Sequence, residues 1–273
     1  MKTLCLLSLI TLLSFGCKTE LKKSTEVVLI NSAIVGGSVV DPDKTDTTFI
    51  VNFGNKCSGS IVGTKWILTA AHCEESFKKD ITAGGINLMS SNRIKLKLKK
   101  YFIHPNYTKA KLGDTNDFAL IELVEPVDFE GTHLSSIKIA DQAFVEAGGQ
   151  DPGVIATALG WGRTSTYGHD SWKLRSVEMP IVSNEVANSK NSYDGFINDS
   201  MLAAGLDKGG KDTCAGDSGG PLIARDQHSG ESVLVGVVSF GKDCGLPHFY
   251  GIYSKVSHVY DWIMETEENS EAH

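Results

Sequence analysis

After its first residues the sequence lacks any hydrophobic run long enough to cross a bilayer, and it also lacks an excess of basic charge. Lys and Arg number 26 against 33 Asp and Glu, which gives a formal net charge of −7. A nucleic-acid or anionic-membrane partner bound through a basic field is therefore excluded. With 273 residues, 41% of them hydrophobic, the chain is expected to form an ordinary soluble globular body with a sizeable core.

Cysteine is also scarce once the N-terminal leader is set aside. Of the six cysteines, Cys5 lies inside the leader and Cys17 lies at its edge. Four remain for the body of the protein: Cys57, Cys73, Cys214 and Cys244. In an oxidising compartment this even number permits two disulfides, and the sequence by itself leaves three pairings open.

Residues 1–17 have the pattern of a secretory signal. Lys2 precedes the apolar stretch LCLLSLITLLSF, which is too short for a spanning helix and ends near small residues. The mature protein is therefore expected outside the cell. Gly16-Cys17 also resembles a loose bacterial lipobox, so Cys17 is either lipidated, giving a cell-envelope lipoprotein, or lost by ordinary signal cleavage. Membrane attachment is expected only in the first case.

Short β-rich runs recur through the rest of the chain. They are FIVNF, SGSIVG, WILTAA, RIKLKLKKYFI, FALIELV, VIATALGW, RSVEMPIV, GPLIA, VLVGVVSF and GIYSKV. Turn clusters of Gly, Asn, Asp and Pro separate them, and no repeat or low-complexity linker intervenes. This pattern indicates an all-β sandwich or barrel, and the length favours two halves of similar size. Alternating apolar residues and lysines at residues 94–99 predict a strand with one solvated face.

Only the C-terminal end shows helical spacing. Val256, Val259, Tyr260, Trp262 and Ile263 recur at close to 3.6 residues, which predicts an amphipathic helix packed on the second half. The polar, acidic residues 265–273 are predicted to form a frayed tail.

Three segments carry candidate chemistry: LTAAHC with His72, TNDFALIEL with Asp117, and DTCAGDSGGPL with Ser218. A serine hydroxyl needs a base to take its proton and a third group to orient that base, and histidine and aspartate suit those roles. The glycine-rich residues 216–220 can expose backbone N–H groups that converge on an oxyanion. Each segment alone is a weak signal, but the three together, in this order, form a specific one.

With the run IVGG at residues 34–37 added, the chain resembles the chymotrypsin/trypsin-like serine protease family from Ile34 to about Met264. The resemblance implies an all-β fold of two six-stranded antiparallel β-barrels with a C-terminal α-helix and the active site between the barrels. It implies a bacterial, trypsin-like peptidase domain at residues 34–264 that acts on protein or peptide substrates. A monomer without cofactor or metal is expected.

The family pattern also assigns catalytic roles to individual residues. His72 matches the general base, Asp117 the orienting carboxylate and Ser218 the nucleophile that forms an acyl-enzyme. The N–H groups of Gly216 and Ser218 match the oxyanion hole.

Substrate recognition is implied in the same way. Asp212 matches the base of the primary pocket, where a carboxylate selects Lys or Arg through charge-assisted hydrogen bonds. Ser239 matches a serine placed against Asp117 and begins a segment that pairs with substrate backbone. Gly241 and Gly251 fall where the pocket must stay open.

The resemblance chooses the disulfides Cys57–Cys73 and Cys214–Cys244. Two further family disulfides are missing as pairs. Alanines stand at the positions of both pairs: Ala187 with Ala203, and Ala156 with Ala224. We therefore expect the same fold without those bonds.

The family pattern further implies a precursor. Residues 18–33 would be a propeptide, and cleavage would free Ile34, whose ammonium would pair with Asp217. Before cleavage Asp217 is expected to lack a partner, so that residues 216–218 are displaced. Ala33 precedes the cleaved bond, and a pocket built on Asp212 selects alanine poorly, so we expect an external activating protease. The alternative to an enzyme is a catalytically inactive homologue that serves as a binding module.

Overall fold

The computed structural model describes residues 34–54, 56–110 and 113–271. The predicted signal, Cys17, the propeptide and Ala33 lie outside these residues. The strands are β1 (Ser38–Val39), β2 (Ile50–Phe53), β3 (Cys57–Ile61), β4 (Trp66–Thr69), β5 (Ile81–Ala83), β6 (Ile94–Leu96), β7 (Leu98–Ile103), β8 (Ala119–Leu123), β9 (Lys138–Ile139), β10 (Ile155–Gly160), β11 (Arg175–Val182), β12 (Met201–Ala204), β13 (Pro221–Arg225), β14 (Ser232–Phe240) and β15 (Gly251–Lys255). The helices are α1 (Gln142–Glu146), α2 (Asn184–Ala187) and α3 (Tyr260–Glu271), with 3₁₀ turns at Ala71–Ser76 and Val256–Val259.

The first sheet has the strand order β6-β5-β2-β3-β4-β8-β7, and all its pairings are antiparallel. Only Lys97 separates β6 from β7, so the chain itself joins the two ends of the sheet and the sheet curls back on itself. Lys95, Lys97 and Lys99 are exposed while the apolar residues between them are partly buried, which confirms the predicted alternation.

The second sheet contains a closed barrel of six antiparallel strands. Its order β11-β10-β13-β14-β15-β12 returns to β11 through Ile181 opposite Ala204. Strand β1 adds to β11 outside this ring, and β9 adds to β14 in parallel. The all-β class with one curled sheet, one closed barrel and a C-terminal helix is the predicted fold class, and the structure confirms it.

The alanine pairs lie buried in the second half of the protein. Ala156 and Ala224 are register partners on β10 and β13, and both are at most 1% exposed. Ala187 and Ala203 belong to one buried apolar cluster. All four alanines are buried, so apolar packing stabilises the two places where the family pattern has a disulfide.

The C-terminal segment departs from the prediction. Helix α3 continues to Glu271, so the expected frayed tail is wrong over most of its length. Ser270 is buried and donates to the carboxylate of Glu122 on β8 at 2.6 Å. Trp262 stacks edge-on against His104, 4.9 Å between ring centroids. The helix therefore also packs on the first half of the protein, not on the second half alone.

Two short helices were not predicted. Helix α1 begins after Asp141, whose carboxylate accepts from the N–H of Phe144 at 2.8 Å. Helix α2 begins after Ser183, whose hydroxyl accepts from the N–H of Val186 at 3.2 Å. Each has an N-cap of the usual type, but a helix of four or five residues is too short to show an apolar period.

Candidate active site

His72 and Asp117 are brought together by the pairing of β4 with β8. His72 lies in the 3₁₀ turn that follows β4, and Asp117 lies just before β8. These two strands run antiparallel, with Thr69 opposite Ala119, so the end of one lies beside the start of the other. His72 Nδ1 is 2.7 Å from Asp117 Oδ2, and the His72 N–H donates to Asp117 Oδ1 at 2.9 Å.

Asp117 is fully buried, and a third donor holds it. The Ser239 hydroxyl donates to Asp117 Oδ2 at 2.5 Å. Burial by itself would raise the pKa of Asp117, but the hydrogen bonds and charge of His72 outweigh it and hold that pKa below its ordinary value. Burial would likewise lower the pKa of His72, yet the hydrogen bond and charge of Asp117 raise it. An ionised carboxylate therefore orients the imidazole.

Ser218 is tied by its backbone to the strand that carries the neighbouring disulfide. The N–H of Ser58 donates to the Ser218 carbonyl at 2.8 Å. Ser58 follows Cys57, which is bonded to Cys73 next to His72. Gly219, with φ of +74°, fixes the loop: an added Cβ there would lie 2.3 Å from Thr69 Oγ1. Only glycine fits this approach.

The backbone around Ser218 offers free donors. Within the described residues the N–H groups of Gly216 and Ser218 make no hydrogen bond to another backbone group. Gly216 has φ of +96°, and a Cβ there would lie 2.9 Å from the Cα of Gly162. Two unpaired N–H groups on one tight glycine loop can stabilise a developing oxyanion.

A cavity of about 320 Å³ opens beside Ser218. It is lined by Thr166, Thr213, Cys214, Ala215, Ser218, Val238, Ser239, Phe240, Gly241, Asp243 and Cys244. Asp212, which directly precedes Thr213, is 3% exposed. Its Oδ2 accepts from the N–H of Gly245 at 2.9 Å, and its Oδ1 has no hydrogen-bond partner among the described residues. Burial raises the pKa of Asp212 to about 7 despite that N–H donor.

The two predicted pocket glycines have different surroundings. Gly241 lines the cavity, and the nearest atom to an added Cβ there is 3.5 Å away. Gly251 lies against the carboxylate, since its added Cβ would be 2.6 Å from Asp212 Oδ1. A side chain at Gly251 would therefore displace the pocket acid.

Asp217 and Ile34 are both completely buried. Asp217 Oδ1 accepts from the N–H of Gly162 at 2.7 Å, and Oδ2 accepts from the N–H of Cys214 at 2.8 Å. Ile34 N donates to the carbonyl of Arg163 at 3.1 Å, one residue beyond Gly162. The expectation that Asp217 has no partner in the uncut chain is therefore wrong, because two backbone amides hydrogen-bond to it. Among the described residues it has no counter-charge, and burial raises its pKa to about 7.

Both disulfides predicted from the resemblance are present. Cys57–Cys73 joins β3 to the turn that carries His72, and Cys214–Cys244 lines the cavity.

Three contributors to the site were not predicted. Two of them are the backbone N–H groups of Ser58 and Gly162. The third is the Tyr253 hydroxyl, which lies 3.3 Å from Thr213 Oγ1 at the pocket. A backbone donor leaves no signal in the sequence. Contacts between segments far apart in the sequence bring these groups to the site.

Comparison with known proteins agrees with this geometry. The family model described as Trypsin matches residues 34–263. The mouse (Mus musculus) protein Transmembrane protease serine 11G is 36% identical over 209 residues, which are 76% of this chain and 48% of the mouse protein. The chain thus spans about half the length of that relative. With its barrels, its buried Asp117–His72 pair and its glycine loop, the chain belongs to the chymotrypsin/trypsin-like serine protease family. Within the described residues no helix is both long and apolar enough to cross a membrane.

Proposed function

We propose that this chain is an exported serine endopeptidase that cleaves peptide bonds after Arg or Lys through an acyl-enzyme on Ser218. The observation that carries the proposal is the 2.7 Å contact between His72 Nδ1 and the buried carboxylate of Asp117, beside the loop that bears Ser218. The lipobox-like leader supports a bacterial source, and residues 18–33 are proposed as a propeptide. Protein substrates follow from the family.

In the proposed mechanism the Ser218 hydroxyl attacks the scissile carbonyl while His72 takes its proton through Nε2. Asp117 stabilises the imidazolium that forms. The N–H groups of Gly216 and Ser218 hydrogen-bond to the oxyanion of the tetrahedral intermediate. The imidazolium then protonates the leaving amine. In the second half of the reaction His72 takes a proton from water, the water attacks the ester, and the imidazolium returns the proton to the Ser218 oxygen as the acid leaves.

Labelling of Ser218 tests this chemistry. An organophosphonate probe should modify the cleaved wild-type protein at Ser218, and Ser218→Ala should give a folded protein with neither labelling nor amidase activity, because it deletes only the nucleophilic oxygen. A cleaved, folded wild-type protein that never reacts with the probe would instead favour the inactive binding module.

Preference for Arg or Lys rests on Asp212. Its Oδ1 is buried without a hydrogen-bond partner among the described residues, and a cationic side chain in the cavity would supply one. We predict that Asp212→Ser lowers kcat/KM for Arg and Lys substrates by at least about 100-fold. An ionic hydrogen bond contributes about 1.5–3 kcal/mol, and the substrate cation is in addition left in the pocket without its carboxylate partner. Phe substrates should be little affected. Equal hydrolysis of Arg and Phe substrates by the unmutated enzyme would defeat the assignment.

Activation is proposed to occur by cleavage before Ile34. The new ammonium would form next to Gly162, whose N–H already binds Asp217, and would supply the counter-charge that this buried carboxylate lacks. Because Ala33 is a poor match to a pocket built on Asp212, an external protease that prefers small residues is proposed as the activator.

Two measurements test the activation step and the location. Purified precursor mixed with a trace of active enzyme should show no rapid appearance of an Ile34 N-terminus, and full activity in the uncut precursor would refute the switch. Intact mass and N-terminal sequencing of the exported protein would show whether Cys17 is lipidated, which decides between a secreted protein and an envelope lipoprotein.

A further inference from the structure

A second carboxylate, that of Asp114, lies beside the His72–Asp117 pair. A ring nitrogen of His72 and one carboxylate oxygen each of Asp114 and Asp117 all lie within 4.8 Å of one another. Asp117 makes the 2.7 Å hydrogen bond to the ring, whereas Asp114 has no part in the mechanism proposed above. The cluster therefore contains an acid that this mechanism leaves unexplained.

The contacts of its own loop hold the Asp114 carboxylate in place. The Tyr107 hydroxyl donates to Oδ2 at 2.7 Å, and the N–H of Ala110 donates to Oδ1 at 3.3 Å. Thr108 and Thr115 exchange two backbone hydrogen bonds, of 3.1 and 3.0 Å, across the same loop. These contacts fix the carboxylate at its distance from the imidazole.

Among the described residues, three charged side chains act on the His72 ring. Burial by itself lowers the pKa of His72, but the hydrogen bond and charge of Asp117 raise it. The charge of Asp114 adds to the rise and the charge of Lys109 opposes it, and the pKa ends above its ordinary value. The Cys57–Cys73 disulfide is also close to the ring but carries no charge. An opposite charge within about 4–6 Å favours the charged form of a titratable group, so Asp114 favours the imidazolium.

The two carboxylates also act on each other. At their separation like charges repel, and a positive charge on the ring between them relieves that repulsion. In the proposed reaction the ring becomes positive when it takes the proton of Ser218. The second acid therefore favours the charge that develops in the reaction, but it also makes the resting ring easier to protonate, and a protonated ring cannot act as a base.

We propose that Asp114 is a positioning residue that acts through its charge: it stabilises the imidazolium of His72 and sets the pH below which peptidase activity falls. The effect on activity rests on the proposed function. The effect on the imidazole does not, because it requires neither a substrate nor the nucleophile.

The test compares Asp114→Asn, which removes the charge at nearly constant size, with the parent protein. The pKa of the His72 ring is measured by NMR in the full-length Ser218→Ala chain, its signal being assigned by its loss in His72→Gln. The acid limb of kcat/KM against pH is measured on the cleaved enzyme that retains Ser218.

Both quantities should move to lower pH by at least about 0.5 unit. A unit charge 4.8 Å away displaces a pKa by roughly this amount even in a water-like medium, and by more where the dielectric constant is lower. The ratio of variant to parent kcat/KM should accordingly be at least about threefold higher on the acid side of the profile than at pH 8.

Four further variants separate charge from structure. Asp114→Glu keeps the charge and should restore the parent profile. Tyr107→Phe removes the hydroxyl that holds the carboxylate but not the charge, and it should not move the acid limb to lower pH. Lys109→Met removes an opposing cation and should move the limb to higher pH. Glu185→Gln, at an exposed carboxylate on α2, should leave it unchanged.

Equal titration of His72 with and without Asp114→Asn would overturn the proposal, as would a shift of the same size in Asp114→Glu. A His72 pKa that Asp114→Asn lowers in a protein without peptidase activity would support the role of Asp114 and refute the proposed function alone.

Discussion

The buried carboxyl group of Asp217 should make the proposed uncut precursor less stable as the pH rises. The side chain is completely buried, and burial raises its pKa from 3.8 to about 7 although Cys214 and Gly162 donate to it. The folded chain therefore keeps this proton to a higher pH than the unfolded chain does. The contribution to stability is full below about pH 4 and is lost as the pH rises towards 7.

The size of the effect follows from the displacement of the pKa. At about 1.4 kcal/mol for each pH unit, a rise from 3.8 to about 7 corresponds to on the order of 4 kcal/mol. This is a large fraction of the usual 5–15 kcal/mol of domain stability. Asp217→Asn has no charge to bury, but it turns an NH₂ group towards one of the two N–H donors, which should cost about 1–3 kcal/mol at every pH.

We therefore predict that the stability curves of the precursor and of Asp217→Asn cross. The variant should be the less stable protein near pH 4 and the more stable one near pH 8. Urea unfolding at a series of pH values, followed by tryptophan fluorescence in a Ser218→Ala background, measures this. The slope of the unfolding free energy against pH should differ by about one proton between the two proteins.

Two controls frame the result. The stability curve of Glu185→Gln, at an exposed carboxylate, should run parallel to that of the precursor. In protein cleaved before Ile34, the unfolding free energy should depend on pH as weakly as it does in Asp217→Asn, because the ammonium supplies a counter-charge. Parallel curves for the precursor and Asp217→Asn would refute the reasoning, since they would mean that Asp217 titrates alike in the folded and unfolded chains.

The other predictions concern the groups around the His72–Asp117 pair. Ser239→Ala removes the 2.5 Å hydrogen bond to Asp117, and because a bond to a charged group contributes about 1.5–3 kcal/mol, kcat/KM should fall about 10- to 100-fold with little change in KM. An unchanged kcat would show that Ser239 does not position the carboxylate. The double change Cys57→Ser and Cys73→Ser opens a disulfide of sequence separation 16 and should lower the unfolding free energy by about 3 kcal/mol, which urea denaturation measures.

The strands that could be predicted from sequence are those with a clear β-rich pattern. All ten runs occur as strands, and RIKLKLKKYFI is divided only at Lys97. Strands β1, β5, β9 and β12 were missed because they have two to four residues. Such segments become strands through their neighbours, not through their own periodicity.

The C-terminal segment shows most clearly what a local sequence pattern cannot predict. Ser270 belongs to a polar, acidic segment that by itself should fray. Its burial depends on Glu122, a partner 148 residues away in the sequence. No local pattern contains that information.

The candidate site residues could be named from their motifs, but their electrostatics could not. The sequence predicts Asp217 as a lone buried charge before cleavage, because only charged partners are visible in a sequence. The backbone amides of Gly162 and Cys214 carry no such signal, and they hydrogen-bond to the carboxylate in the uncut chain.

Both cross-links of the described chain border the reactive centre, while the alanine pairs are held by packing alone. Cys57–Cys73 anchors the turn of His72, and Cys214–Cys244 forms a wall of the cavity. We therefore expect disulfide reduction to abolish the proposed proteolysis before either β-sheet unfolds. In a thiol-rich compartment the protein would keep its fold and lose the proposed peptidase activity, which would protect the cell that makes it.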